Sequence, residues 1–97
     1  MSEFDGVIDD IMMELDQVYD LYTDDLMMKT NAASGDQVIF FLDDRSGNSD
    51  KYGRQDAITD MIYDTFEDAG WSTHDLEVHF TWDVVSGAYE RIHFWLP

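Results

Sequence analysis

Apolar residues recur at spacings of three and four over the first third of the chain. Phe4, Ile8, Ile11, Leu15, Val18, Tyr22 and Leu26 form one stripe, which predicts an amphipathic helix over residues 3–29. Ser2 or Asp5 would cap its start, and Lys29 suits its last turn. Residues 31–37 have turn chemistry. The next run, Val38-Ile39-Phe40-Phe41-Leu42, is continuously apolar and rich in β-branched and aromatic side chains. It predicts a central strand covered on both faces. Residues 43–53 form a polar loop with two glycines. A second helix over 55–69 would bury Ile58, Met61, Ile62, Thr65, Phe66 and Ala69, with Gly70 as the left-handed residue that follows its end. The last third alternates apolar and polar residues with period two. Leu76, Val78, Phe80 and Trp82 face one way, as do Ile92, Phe94 and Leu96. Val85-Ser86-Gly87 suits a hairpin loop ending in a left-handed glycine, and sets Phe80 opposite Ile92 and Val78 opposite Phe94. The expected fold class is α+β in the order αβαββ. It has a small three-stranded sheet with a C-terminal antiparallel hairpin, packed by two acidic amphipathic helices.

A length of 97 residues fits a single domain spanning 1–97. With 44% hydrophobic and 14% aromatic residues the chain can bury a core, unlike a disordered acidic tail. The absence of cysteine excludes disulfides and thiolate metal sites. No apolar run is long enough to span a bilayer, and the N-terminus lacks a basic flank followed by an apolar segment. The expectation is a cytoplasmic protein with no membrane partner.

Charge changes this picture most. Twenty-two acidic residues against five Lys and Arg give a formal net charge of −17, which a fold does not need. On a helical wheel Asp5, Asp9, Asp16, Asp20 and Asp24 share one arc opposite the apolar stripe, flanked by Asp10, Glu14 and Asp25. Asp56, Asp60, Asp64 and Asp68 repeat the device as an i, i+4 row, with Glu67 beside it. Like charges at that spacing each destabilise a helix by about 0.2–0.5 kcal/mol. Only Asp25 and Lys29 are placed to compensate within a helix. Short carboxylates in rows suit a partner with fixed geometry, and four helical residues rise about 6 Å, on the order of the gap between successive phosphates of a DNA strand. A solvated face, or the general acidity of a salt-adapted organism, would also yield charged helices.

Other chemistry is thin. His79 and His93 fall opposite each other in the hairpin with Glu77 nearby, which offers a His/His/carboxylate metal site or a cross-strand aromatic pair. Arg91 on the same face opposes a cation. Residues 43–50 invite a calcium reading, but from Asp44 the sixth position is Ser49 and the twelfth Gln55, which fails the EF-hand pattern. No nucleophile elbow or phosphate-cradling loop is present. Paired carboxylates are too common here to indicate acid–base catalysis. No basic patch carries interleaved aromatics, so direct nucleic-acid binding is not expected. The expectation is no enzyme, no cofactor and no metal. Trp71, Trp82, Trp95, Tyr52 and Tyr89 read as core or core-edge residues that become partner anchors where exposed. Met12 lies toward the buried side, Met13 and Met27 toward the acidic arc.

In size, in Asp-striped helices beside a small sheet and in lacking a catalytic signature, the chain resembles the DNA-mimic inhibitors of phages and mobile elements. These include uracil-glycosylase inhibitors, restriction antagonists and some anti-CRISPR proteins. It looks most like a small anti-CRISPR protein of the kind that occupies the duplex-DNA site of a type I surveillance complex, with type I-F as the suggested type. The resemblance implies competitive occupation of a Lys/Arg-lined cleft in a basic nucleic-acid-binding protein or complex, with no chemistry performed. The contact residues it implies are Asp5, Asp9, Asp16, Asp20, Asp24, Asp56, Asp60, Asp64, Glu67 and Asp68. The reading from another class is an acidic interaction or adaptor module, or a divalent-ion-binding protein, without mimicry.

Overall fold

The stripe that predicts one long helix divides at Asp20. In the computed structural model, which describes residues 4–29, 35–47 and 50–96, helix α1 spans Asp5–Tyr19 and strand β1 spans Leu21–Lys29. Asp20 between them is left-handed, with φ 56° and ψ 35°. Its amide donates to the Leu15 carbonyl, closing the helix. The Arg45 amide then donates to the Asp20 carbonyl at 2.9 Å, tying the reversal to the end of the next strand. Aspartate tolerates this backbone region better than most residues, so the chain turns without a glycine.

Strand β2 (Gln37–Asp44) follows, then helix α2 (Lys51–Asp68), β3 (Val78–Trp82) and β4 (Tyr89–Trp95). The order is αββαββ, and one antiparallel four-stranded sheet runs β1-β2-β4-β3. The fold is α+β as expected, with four strands where three were predicted. The missing strand is β1: its Tyr22 and Leu26 continued the helical spacing, but pairing along β2 from Leu21↔Asp44 to Lys29↔Gln37 overrides that local pattern. A bulge between Thr23 and Asp25 shifts the register, so period two is interrupted where the helical period happened to match. Ser2, Glu3 and residues 31–34 lie outside the described residues.

The hairpin register is as predicted, with Val78↔Phe94 and Phe80↔Ile92. Gly87 is left-handed at φ 75°. The loop is one residue longer than expected, because the Asp83 amide reaches the Ala88 carbonyl at 2.8 Å. Gly70 likewise takes φ 89° after α2, and the Trp71 amide bonds the Phe66 carbonyl. Helix α2 begins at Lys51, four residues before the expected start, because the Asp50 carboxylate caps it by accepting the Gly53 amide at 3.2 Å.

Both helices cover the same sheet face. Ile8, Ile11 and Leu15 of α1 and Ile58, Ile62 and Phe66 of α2 meet Val38, Phe40, Ile92 and Phe94 in one buried cluster. Each such side chain contributes about 1.5–3 kcal/mol on burial. Phe4 packs on Phe66 and Trp71, so the start of α1 meets the end of α2. The opposite sheet face carries Ile39, Phe41, Arg91, His93 and Trp95, and among the described residues no helix covers it. The central strand is therefore covered on one face, not two. With one face facing solvent, Ile39 shelters between Met27 of β1 and His93 of β4.

Candidate interaction surface

The two helices form a layer whose outward side is acidic. On α1, Asp9 and Asp16 are exposed and Asp5 is half-buried. On α2, Asp56, Asp60, Asp64, Glu67 and Asp68 are all exposed. Among the described residues no Lys, Arg or His is paired with Asp9, Asp16 or these five. Eight of the ten expected contact residues thus lie on the two helices, with Asp9 and Asp16 on the flank of α1 away from α2. The other two separate from the stripe: Asp20 is the left-handed residue at the end of α1, and Asp24 lies at the bulge of edge strand β1. The like-charge pairs within helices fall accordingly to 5/9, 10/14, 56/60, 60/64 and 64/68. Asp25 and Lys29 sit on the strand, so no helical pair compensates the rows.

A groove of about 540 Å³ runs between α1 and α2. Tyr19, Met61, Thr65 and Ala69 line it together with Asp64 and Asp68 of α2, and Asp10, Met13 and Glu14 of α1 stand on the facing side. Met13 is 54% exposed. The Thr65 hydroxyl is spent on the Met61 carbonyl at 2.7 Å. Burial raises the Tyr19 phenol above its ordinary value, and the nearby charges of Glu14 and Asp60 raise it further. On the far side of α1 a second depression of about 440 Å³ is lined by Asp9, Met12, Met13, Asp16, Tyr22 and Thr23, so Met13 borders both. Asp10, Glu14 and Met13 were visible in the sequence only as flanking positions. The i, i+3, i+4 spacing of these three was the available signal, but nothing in one sequence says which flank of a helix meets its neighbour.

The basic residues are held elsewhere. Arg54 lies 3.5 Å from Asp44, with side chains 10% and 3% exposed. It also donates to the Ser46 hydroxyl at 2.7 Å and sits over the Tyr89 ring at 4.8 Å. Burial works to raise the Asp44 carboxyl, but hydrogen bonds from Ser46 and Tyr89, with the Arg54 charge, hold it below the ordinary carboxylate range. Burial pushes the Tyr89 phenol up to about 12. Arg45 pairs with Asp43 at 2.9 Å and covers the Tyr22 ring. Arg91 lies on the uncovered sheet face. The loop that invited a calcium reading therefore spends Asp44 on joining β2, α2 and β4; Asn48 and Ser49 lie outside the described residues.

His79 and His93 stack at 5.1 Å, as the predicted register requires, with Trp95 edge-on to both. Glu77 reaches His79 at 3.5 Å. Parallel rings do not converge their nitrogens on one point, and among the described residues no three His, Cys, Asp or Glu side chains are grouped to hold a metal ion. Trp71, Trp82 and Trp95 are half-buried and Tyr89 is buried, whereas Tyr52 is 67% exposed and meets Trp82 edge-on. No helix among the described residues is long and apolar enough to cross a membrane. Compared with protein-family models, curated proteins and solved structures, the chain matches none.

Proposed function

We propose that this protein is a non-enzymatic inhibitor that presents the charge pattern of double-stranded DNA and blocks the DNA-binding cleft of a basic nucleic-acid-binding complex. The intended class is the anti-CRISPR proteins acting on a type I surveillance complex. The observation that carries the reading is the exposed acidic surface of two neighbouring helices on one side of the sheet, while Arg45 and Arg54 are paired with Asp43 and Asp44 at the end of β2. The carboxylate-bearing residues Asp56, Asp60, Asp64 and Asp68 of α2 follow one another at a rise of about 6 Å, a spacing that a row of phosphate-binding Lys and Arg can follow; on α1 only Asp5 and Asp9 of the expected row keep it. An acidic solvated face would more often interleave basic residues, because i, i+4 pairs of opposite sign stabilise a helix and like pairs do not. Long-range attraction to a basic cleft speeds association and weakens as salt screens it, over a Debye length of about 10 Å at 0.1 M.

The test is capture from nuclease-treated bacterial lysate at low salt with the tagged protein, followed by challenge with duplex DNA. The expected result is a nucleic-acid-binding complex that duplex DNA releases. Recovery only of partners indifferent to DNA would overturn mimicry and favour an adaptor.

A further inference from the structure

The rows on the outer surface could be met by any basic cleft, but the groove between α1 and α2 is more selective. Its walls are acidic and its floor is not. Asp10 and Glu14 on one rim, and Asp64 and Asp68 on the other, are each one helical turn apart. That repeat, about 6 Å, is also the separation of residues i and i+4 on any third helix laid along the groove. Met61 inside the groove and Met13 on the crest of α1 beside it offer flexible, polarizable side chains that adapt to an incoming apolar group. Among the described residues no basic side chain lines the groove. A phosphate-like surface alone would need neither the concavity nor the methionines.

We propose that this groove receives a cationic amphipathic helix of the partner, seating an apolar side chain on Met13 and Met61 while Lys or Arg residues one turn apart lie between the acidic rims. The proposal rests on the reading of the chain as a binder of basic proteins, and names the partner element it grips. Long basic side chains fit such a groove because their methylene stems lie along apolar surface while their charged ends reach the carboxylates. Charge on both rims fixes the axis of the bound helix, and the floor makes binding depend on where its apolar residues fall. Burial first, and then the charges of Glu14 and Asp60, raise the Tyr19 phenol, and a bound ammonium or guanidinium would offset only the contribution of the charges.

The experiment uses the full chain and three probes: a synthetic helical peptide of Lys and Leu with one leucine stripe, a scrambled isomer of identical composition, and spermine. Affinities are measured at about 0.15 M salt, where exposed charges are screened beyond about 8 Å, and methionine methyl resonances report the site. The striped peptide should bind about tenfold more tightly than its isomer, the worth of one seated apolar side chain, and should shift the Met13 and Met61 methyls. Met13→Gln should lower the striped peptide's affinity toward that of the isomer and so remove most of that preference; Met13 is exposed, so the fold does not depend on it. Equal affinity for the two peptides, or identical methyl shifts with spermine, would overturn the proposal. The result is separable from mimicry. A peptide preference in a protein whose partners ignore duplex DNA leaves the groove and removes mimicry, whereas DNA-released capture without a preference does the reverse.

Discussion

Asp44 accepts the backbone amide of Tyr89 at 2.9 Å across 45 residues of chain. The same carboxylate holds Ser46 and Arg54, so one side chain at the end of β2 joins β4, the following loop and the first turn of α2. In a chain of net charge −17 most carboxylates oppose folding, and this one does not.

Asp44 should therefore dominate the acid limb of stability. Its folded-state pKa lies below the unfolded value, so the folded state releases the proton more readily and the stabilisation is fully present above about pH 4. It is lost as pH falls from there through the lower folded value. Asp44→Asn should cost about 2 kcal/mol at pH 7, and the gap between variant and parent should close at low pH. Asp44→Ala, which leaves Arg54 without its carboxylate, should cost about 3 kcal/mol or more. Urea melts between neutral and acid pH read both. Comparing variant with parent cancels the general relief of repulsion that acid brings to so anionic a protein.

The turn at Asp20 yields a second prediction. A left-handed backbone strains any residue with a Cβ, less so aspartate, and glycine adopts it freely. Asp20→Gly should raise stability by about 0.5–1 kcal/mol, and Asp20→Val should lower it by about 1–2 kcal/mol. Thermal denaturation decides; a stabilising valine would mean that the reversal does not occur at this residue.

Asp20 also marks where the sequence stopped being legible. Elements whose signals were local were read correctly: Gly70 after α2, Gly87 in the hairpin, and the pairing of His79 with His93, all set by turn chemistry and period two. The boundary between α1 and β1 had no such signal. Leu21 is fully buried yet fell off the helical stripe, while Tyr22 fitted it and is exposed. Only pairing with β2, and the Arg45 amide on the Asp20 carbonyl, makes the strand preferable, and those partners are distant in sequence. The site divides the same way. The α2 row survived because it lies within one helix, whereas the groove depends on which flanks of two helices meet.

The stacked histidines give stability a pH dependence near neutrality. Partial burial, then the neighbouring His79 and Arg91, hold His93 below its ordinary value. Met27 and Ile39 continue its row on the other strands and supply no carboxylate, and Glu77 faces His79. The unfolded state therefore binds a proton first, and stability should fall as pH drops below about 6.5, the unfolded value, until the folded site titrates. Above that pH the effect vanishes. His93→Gln should flatten this segment of the profile without altering the limb assigned to Asp44. Chemical melts in half-unit steps from pH 7.5 to about 5 would resolve the two, and an unchanged slope in the variant would remove His93 as the cause.

Asp60 separates a functional surface from a merely solvated one. It stands in the middle of the α2 row, with Asp56 and Asp64 one turn to either side and, among the described residues, no Lys, Arg or His paired with them. Asp60→Lys would replace two repulsive pairs with two attractive ones, a gain of about 1–2 kcal/mol. Added salt should stabilise the parent more than this variant, because screening relieves repulsion that the substitution has already removed. If the row exists to meet a basic cleft, the same change must also slow association with the captured partner and flatten its salt dependence. Higher stability with weaker capture is the expected pair of results, measured by thermal melts and association kinetics on one preparation. The pairing is diagnostic because a row that serves only solvation would gain the stability and lose nothing.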